Sequence, residues 1–176
     1  MNWFTSDTHF DHANILKYSS RPFVTVEEMN ESLIINWNSV VRPGDVVYHL
    51  GDFAFRRHRY FAERLHGQIV LIEGSHDRMA AAEGKAFQRV GPRHTVKGEP
   101  DIILSHYAMR VWPRGHYGTW HLFGHSHGHL PPHGKSFDVG VDAWDMWPVS
   151  LDQVRVKMDT LITVGGVDNR YKPEAE

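Results

Sequence analysis

Six short apolar runs constrain the fold of this chain more than any other feature of its sequence. They lie at residues 2–6, 45–50, 68–73, 101–105, 120–123 and 136–141 and are rich in Val, Ile, Leu, Phe and Tyr. Each is too short for a helix, so each reads as a strand. Between the first two, Thr25-Val26-Glu27-Glu28 has a capping-box pattern, Met29, Leu33, Trp37 and Val40 follow at helical spacing, and Pro43-Gly44 ends the run. A second helical stretch near 57–66 ends at Gly67, and a third runs through the Ala-rich 79–90 segment to Gly91-Pro92. Beyond residue 100, strand follows strand through loops containing Pro113, Gly115, Gly118, Pro131, Pro132 and Gly134, and Ser150-Leu151-Asp152-Gln153 offers a cap for a short last helix. This order predicts an α/β layered fold with at least one mixed sheet, one domain over 1–165, and a polar, frayed tail over 166–176.

The chemistry sits where the runs end. The first passes into Asp7-Thr8-His9, the second into Gly51-Asp52, the third into Gly74-Ser75-His76-Asp77, the fourth into Ser105-His106 and the fifth into Gly124-His125-Ser126-His127. In open α/β sheets the ligand crevice lies outside the carboxyl ends of the strands, so these residues are expected to converge. Residues i and i+2 of an extended chain point the same way, which pairs Asp7 with His9 and His125 with His127. The chain has 14 histidines and no cysteine, so metal ligands would be imidazoles and carboxylates. That set suits manganese, iron, zinc, nickel or cobalt better than a magnesium or calcium cage. For a single histidine, packing is the ordinary role, and His58, His66, His94, His129 and His133 read that way. Five ordered blocks at strand ends are a different matter, because chance would have to repeat itself at each of them.

Charge excludes other classes. Lys plus Arg number 19 against 21 acidic residues, a net charge of -2, which leaves no sequence-wide footprint for nucleic acid or anionic lipid. No 18-residue apolar stretch and no signal-peptide pattern is found, and the absence of cysteine suits a reducing compartment, so a cytoplasmic protein without a membrane partner is expected. His12, Asn14 and His49 stand beside the motifs as orienting groups, substrate contacts or packing residues. Arg110, Trp112, Arg114 and His116 form a loop that would grip a phosphate and stack on a base, or else a solvated loop around one packed aromatic. Asp138 and Asp142, alternating with Val139 and Val141, are candidates to buttress ligating histidines.

Taken together, Asp7-Thr8-His9, Gly51-Asp52, Gly74-Ser75-His76-Asp77, His106 and Gly124-His125-Ser126-His127 resemble the ordered signature of the calcineurin-like metallophosphoesterases, over about residues 2–142. The flanking stretches also resemble a small, cap-less subfamily of bacteria and phages. The resemblance implies a layered α/β sandwich of mixed sheets flanked by helices. It also implies two divalent transition-metal ions, manganese foremost. Asp7, His9, Asp52 and His127 would hold the first ion, and Asp52, His106 and His125 the second, with Asp52 bridging. His76 would stabilise phosphoryl oxygens or protonate the leaving group, with Asp77 orienting it. Ser75 stands where the family has asparagine, and its shorter hydroxyl is a poorer ligand, which would weaken the second site. The implied reaction is hydrolysis of a small-molecule or nucleotide phosphodiester by a metal-bridging hydroxide, with His12, Asn14, Arg78 and Arg110 as candidate substrate contacts. A nuclease acting on DNA or RNA, and a non-catalytic binding module on a decayed scaffold, are the alternatives.

Overall fold

The computed structural model describes residues 1–77 and 86–163. Among these residues nine strands form two mixed sheets. In the first, β1 (Asn2–Thr5), β2 (Val46–His49), β3 (Gln68–Ile72) and β4 (Gln88–Val90) run parallel in the order β4-β3-β2-β1, and β9 (Val149–Ser150) closes the edge antiparallel to β1. In the second, β5 (Arg93–Val96) lies antiparallel to β6 (Ile102–Ser105), which is followed by the parallel β7 (Trp120–Phe123) and β8 (Ser136–Asp138).

Among the described residues four α-helices accompany the sheets: α1 (Ile15–Tyr18), α2 (Val26–Val40), α3 (His58–Ala62) and α4 (Leu151–Asp159). The start of α2 follows its sequence signal, since the Thr25 side chain accepts from the Glu28 N–H at 3.1 Å, a cap contributing about 1 kcal/mol. At α4 the full capping box forms between Ser150 and Gln153. Alternation along the strands divides the core in two. Trp3, Val47, Ile69 and Leu71 face Met29, Leu33 and Trp37 of α2, whereas Phe4, Leu50 and Ile72 join Leu104, Leu122 and Phe137 of the second sheet and Val154 and Met158 of α4. Among the described residues no helix is long and apolar enough to cross a membrane.

Several expectations are revised. Helix was predicted through 79–90, yet 88–90 form β4, because Phe87 is buried against Phe53 and the strand pairs with the otherwise open edge of β3; residues 78–85, Arg78 among them, lie outside the described residues. The 57–66 stretch is helical only over α3. The 136–141 run leaves the sheet after Asp138 and turns into a 3-10 helix at Val141–Ala143, so Asp142 is not a strand residue. The predicted tail also falls outside the described residues.

Candidate metal centre

Strand register brings the motifs together. The parallel pairing of β1 with β2 continues past their ends: Asp7 N–H donates to Gly51 O, His9 N–H to Asp52 O and Phe10 N–H to Phe53 O, each at 3.0 Å. In the second sheet Gly124 N–H donates to His106 O at 3.0 Å, and a bridge between Ser6 and Gly140 joins the two sheets at this end. Close approach leaves no room for side chains at the junctions: a Cβ on Gly124 would run into Ser6 Oγ and Asp7 Oδ2, and one on Gly74 into the Asp52 amide and carboxylate.

Two groups of candidate ligands result. Asp7, His9 and His127 form one and Asp52, His106 and His125 the other, with the donor atoms of each group within 4.8 Å of one another. Asp52 stands between them, its Oδ2 lying 3.7 Å from His9 Nε2 and 3.5 Å from His106 Nε2. The residues do not converge by the extended i, i+2 geometry expected of them. Asp7, His9, Asp52, His125 and His127 all adopt positive φ, between 48° and 63°, so each ligand loop turns at its ligands. Such conformations cost on the order of 1–3 kcal/mol each and persist only where surrounding bonds hold them.

The donor set fits divalent transition metals. Asp7 Oδ1, both ring nitrogens of His9 and His106 Nε2 are buried without a hydrogen-bond partner. Orphaned buried polar atoms cost about 1–3 kcal/mol apiece, and here Asp7 Oδ1, His9 Nε2 and His106 Nε2 face the space around Asp52 where a cation would satisfy them. Burial pushes the Asp7 carboxyl up to about 7, against the pull of His106 and His127, and the His9 imidazole down to about 2, against the pull of Asp52 and with the buried Arg21 adding to the fall. Burial also acts on Asp52, but His106 and the His76 backbone N–H outweigh it and hold the carboxyl well below its usual range.

Second contacts aim the ligands. His106 Nδ1 donates to Leu50 O at 2.8 Å, leaving Nε2 for a metal. His127 Nδ1 pairs with Asp142 Oδ2 at 2.6 Å, and Asp142 in turn receives both the Nε and Nη2 of Arg21 at 2.8 Å. The fully buried Arg21 also donates to the carbonyls of Asp7 and Thr8, tying the first ligand loop to the carboxylate behind His127. Arg21 escaped the sequence reading because nothing local marks an arginine as buried. Of the two proposed buttresses only Asp142 touches a ligating histidine; Asp138 instead binds Ser126 Oγ and the amides of Gly128 and Gly140. His49 is a positioning group: the Thr8 hydroxyl donates to Phe53 O, so it accepts from His49 Nε2 at 3.0 Å.

The remaining candidates separate. The His76 ring is exposed, with Nε2 4.0 Å from Asp52 Oδ2, and His12 lies between the rings of His9 and Phe55. Asp77 does not orient His76: its buried oxygens accept the backbone N–H groups of Asp52, Phe53 and Gly74, so it fixes the turn that carries Asp52. Ser75 directs its hydroxyl at both Asp52 oxygens, at 3.2 and 3.0 Å. Asn14 sits exposed at the start of α1 with no capping bond. Arg110 lines a different cavity of about 380 Å³, floored by Phe123 and Ser136. Trp112 is packed over His121 and bonded to Thr119 O, not available for stacking on a base.

No family model matches the chain. The Methanocaldococcus jannaschii uncharacterized protein MJ1445 is 38% identical over 167 residues, spanning 86% of this chain and 88% of that one. The Gene 66 protein of Mycobacterium phage L5 is 27% identical over 191 residues, spanning 86% and 91%. Among solved structures, the Aquifex aeolicus protein of unknown function AQ665 superposes with a TM-score of 0.72 at 22% identity, over 89% of this chain and 98% of that one, and so has the same fold. With more than a third of its aligned residues identical over nearly its whole length, this chain belongs to the same family as the M. jannaschii protein.

Proposed function

We propose that this chain is a metal-dependent phosphoesterase that hydrolyses phosphodiesters of small molecules or nucleotides. One observation carries the reading: two groups of carboxylate and imidazole donors face each other across Asp52, with buried donor atoms left unpartnered on both sides. A pair of divalent ions bound there, manganese foremost, would supply an activated water and neutralise charge developing at phosphorus.

The chain's own groups would do the rest. Asp52 would serve both groups, with its carboxylate held ionised and aimed by Ser75 and the His76 amide. His76, exposed beside Asp52, would give a proton to the departing oxygen as its bond to phosphorus breaks. His12, at half exposure next to His9 and His76, would contact a phosphoryl oxygen. The reading also takes residues 1–165 as one domain and the two sheets, joined by a common buried cluster, as the inner layers of an α/β sandwich.

Metal analysis of the purified chain, paired with hydrolysis of an aryl phosphodiester against an aryl phosphomonoester, tests this. Two metals per chain and preference for the diester are expected. A chain that binds no manganese and turns over neither ester would instead be a binding module.

A further inference from the structure

Two aromatic rings stand exposed beside the metal-ligating groups, one at each. Phe55 is 45% exposed and stacks on His12 at 4.9 Å, with His76 at 6.2 Å. Tyr107 is 53% exposed and its ring lies 4.5 Å from His125 and 4.8 Å from His106. The first therefore adjoins the His9 side of Asp52 and the second the His106 side. Each is accompanied by an arginine. The Arg56 guanidinium lies 5.9 Å from the Phe55 ring centroid, and Arg93 shares with Tyr107 the wall of a cavity of about 550 Å³ that opens at His106. Neighbouring Arg57 and Arg89 are tied to Asp11 and Glu73, whereas Arg56 and Arg93 make no ion pair among the described residues.

Burial of a large ring is the ordinary outcome of folding, and an isolated exposed aromatic on a surface has no special meaning. What distinguishes these two is placement: Phe55 rests on His12 beside His9, Tyr107 rests on His125 and His106, and each residue is about half exposed. Stacking a base on such a ring contributes about 1–3 kcal/mol, and an unpaired arginine beside it adds attraction for an anion or for a second ring face. A cavity of this size also lies within the range that holds a nucleoside-sized group.

Resting on the phosphoesterase reading above, we infer that the centre selects a phosphodiester carrying an aromatic group on each side, a dinucleotide-like ester, with one ring stacking on Phe55 and the other on Tyr107. Arg56 and Arg93 would then meet the sugar-phosphate portions extending beyond the reacting phosphate. The two rings act as specificity groups and take no part in bond breaking.

The test is a graded series of competitors, dimethyl phosphate, thymidine 5′-methyl phosphate and dithymidine monophosphate, against hydrolysis of bis(p-nitrophenyl) phosphate by the manganese-loaded chain. Affinity should rise about 5- to 150-fold with each added base, the range equivalent to one stacking contact. Phe55→Ala and Tyr107→Ala should each erase one step, so that dithymidine monophosphate binds a single variant about as a one-base ester binds the native chain. Tyr107→Phe, which keeps the ring, should retain both steps, and circular dichroism would check that the alanine variants are folded. A flat series, or steps that survive both alanine substitutions, overturns the inference. Titration calorimetry with the same three compounds does not depend on turnover. Failure to hydrolyse the reporter would therefore count against the phosphoesterase reading, while a flat calorimetric series would count against the aromatic subsites.

Discussion

The two ligand groups are built from the same residue types but are held differently. In the Asp7, His9 and His127 group, every residue is buried or half-buried, and Asp7 and His127 are braced from distant parts of the chain, whereas the His9 ring has no hydrogen-bond partner. Asp7 Oδ2 accepts the His125 amide, Arg21 grips the carbonyls of Asp7 and Thr8, and Asp142 fixes the His127 ring. In the Asp52, His106 and His125 group, His106 has its Leu50 carbonyl, but His125 is exposed and its ring makes no hydrogen bond among the described residues. Ser75 spends its hydroxyl on Asp52 instead of offering it to an ion. Orienting contacts raise metal affinity by fixing tautomer and geometry in advance. The first group should therefore bind manganese more tightly than the second, and the two should fill in that order.

The largest expected effect is at the residue the groups share. Asp52→Ala should remove nearly all activity and lower metal content at both groups, and turnover above about a tenth of wild type would break the idea that one carboxylate serves both. Next, His76→Ala should leave metal content nearly intact while cutting turnover by about 10²–10⁴, the range for a lost general acid. Equal loss of metal and activity would make His76 a ligand.

Asp142→Asn probes the asymmetry directly. With His127 no longer held by a carboxylate, affinity at the first group should fall about 10- to 100-fold in a manganese titration while the second transition stays put. If both transitions move together, the two groups are not separately braced.

Acid should act on the metal-free fold by about a factor of ten in the folding constant per pH unit for each buried histidine. Burial holds His49 down to about 3 and His121 down to about 4, so the unfolded chain takes up these protons first as pH drops below about 6.5. Stability is then lost as pH falls from about 6.5 through 4, by up to about 1.4 kcal/mol per unit per histidine. Asp7, raised to about 7, works the other way by keeping a proton in the fold between about 4 and 7, and the histidines outnumber it. Urea unfolding at pH 7, 5.5 and 4 would show the decline; constant or rising stability would sink it.

The smallest effect concerns Ser75→Asn. An amide oxygen reaches farther than the hydroxyl and frees Asp52 from it, so the second group should bind manganese a few-fold more tightly and half-maximal activity should need less metal. Titration curves indistinguishable from wild type would mean that this position does not limit the site.

The grouping of the candidate donors was legible in the residue order because most of them end apolar runs, and a run's end in a parallel sheet is an address in space. The positive φ values were not legible. Asp and His tolerate that region better than branched residues do, but nothing in Asp7-Thr8-His9 says that both ligands turn. Asp77 shows the limit from the other side: its place in a motif invited a role toward His76, and its actual partners are three backbone amides that only the packed turn brings within reach.

What the sequence by itself determined was local: period-two runs that make strands, caps at Thr25 and Ser150 that start helices, and a sulfur-free donor set that limits the metal. The tertiary structure alone decided which donors lie together, that Arg21 from the segment before α2 braces Asp142 from beyond β8, and that Asp52 lies between both groups. Those are contacts between residues tens to more than a hundred positions apart. They form because parallel register and the packing of two sheets fix distances that no stretch of the chain encodes alone.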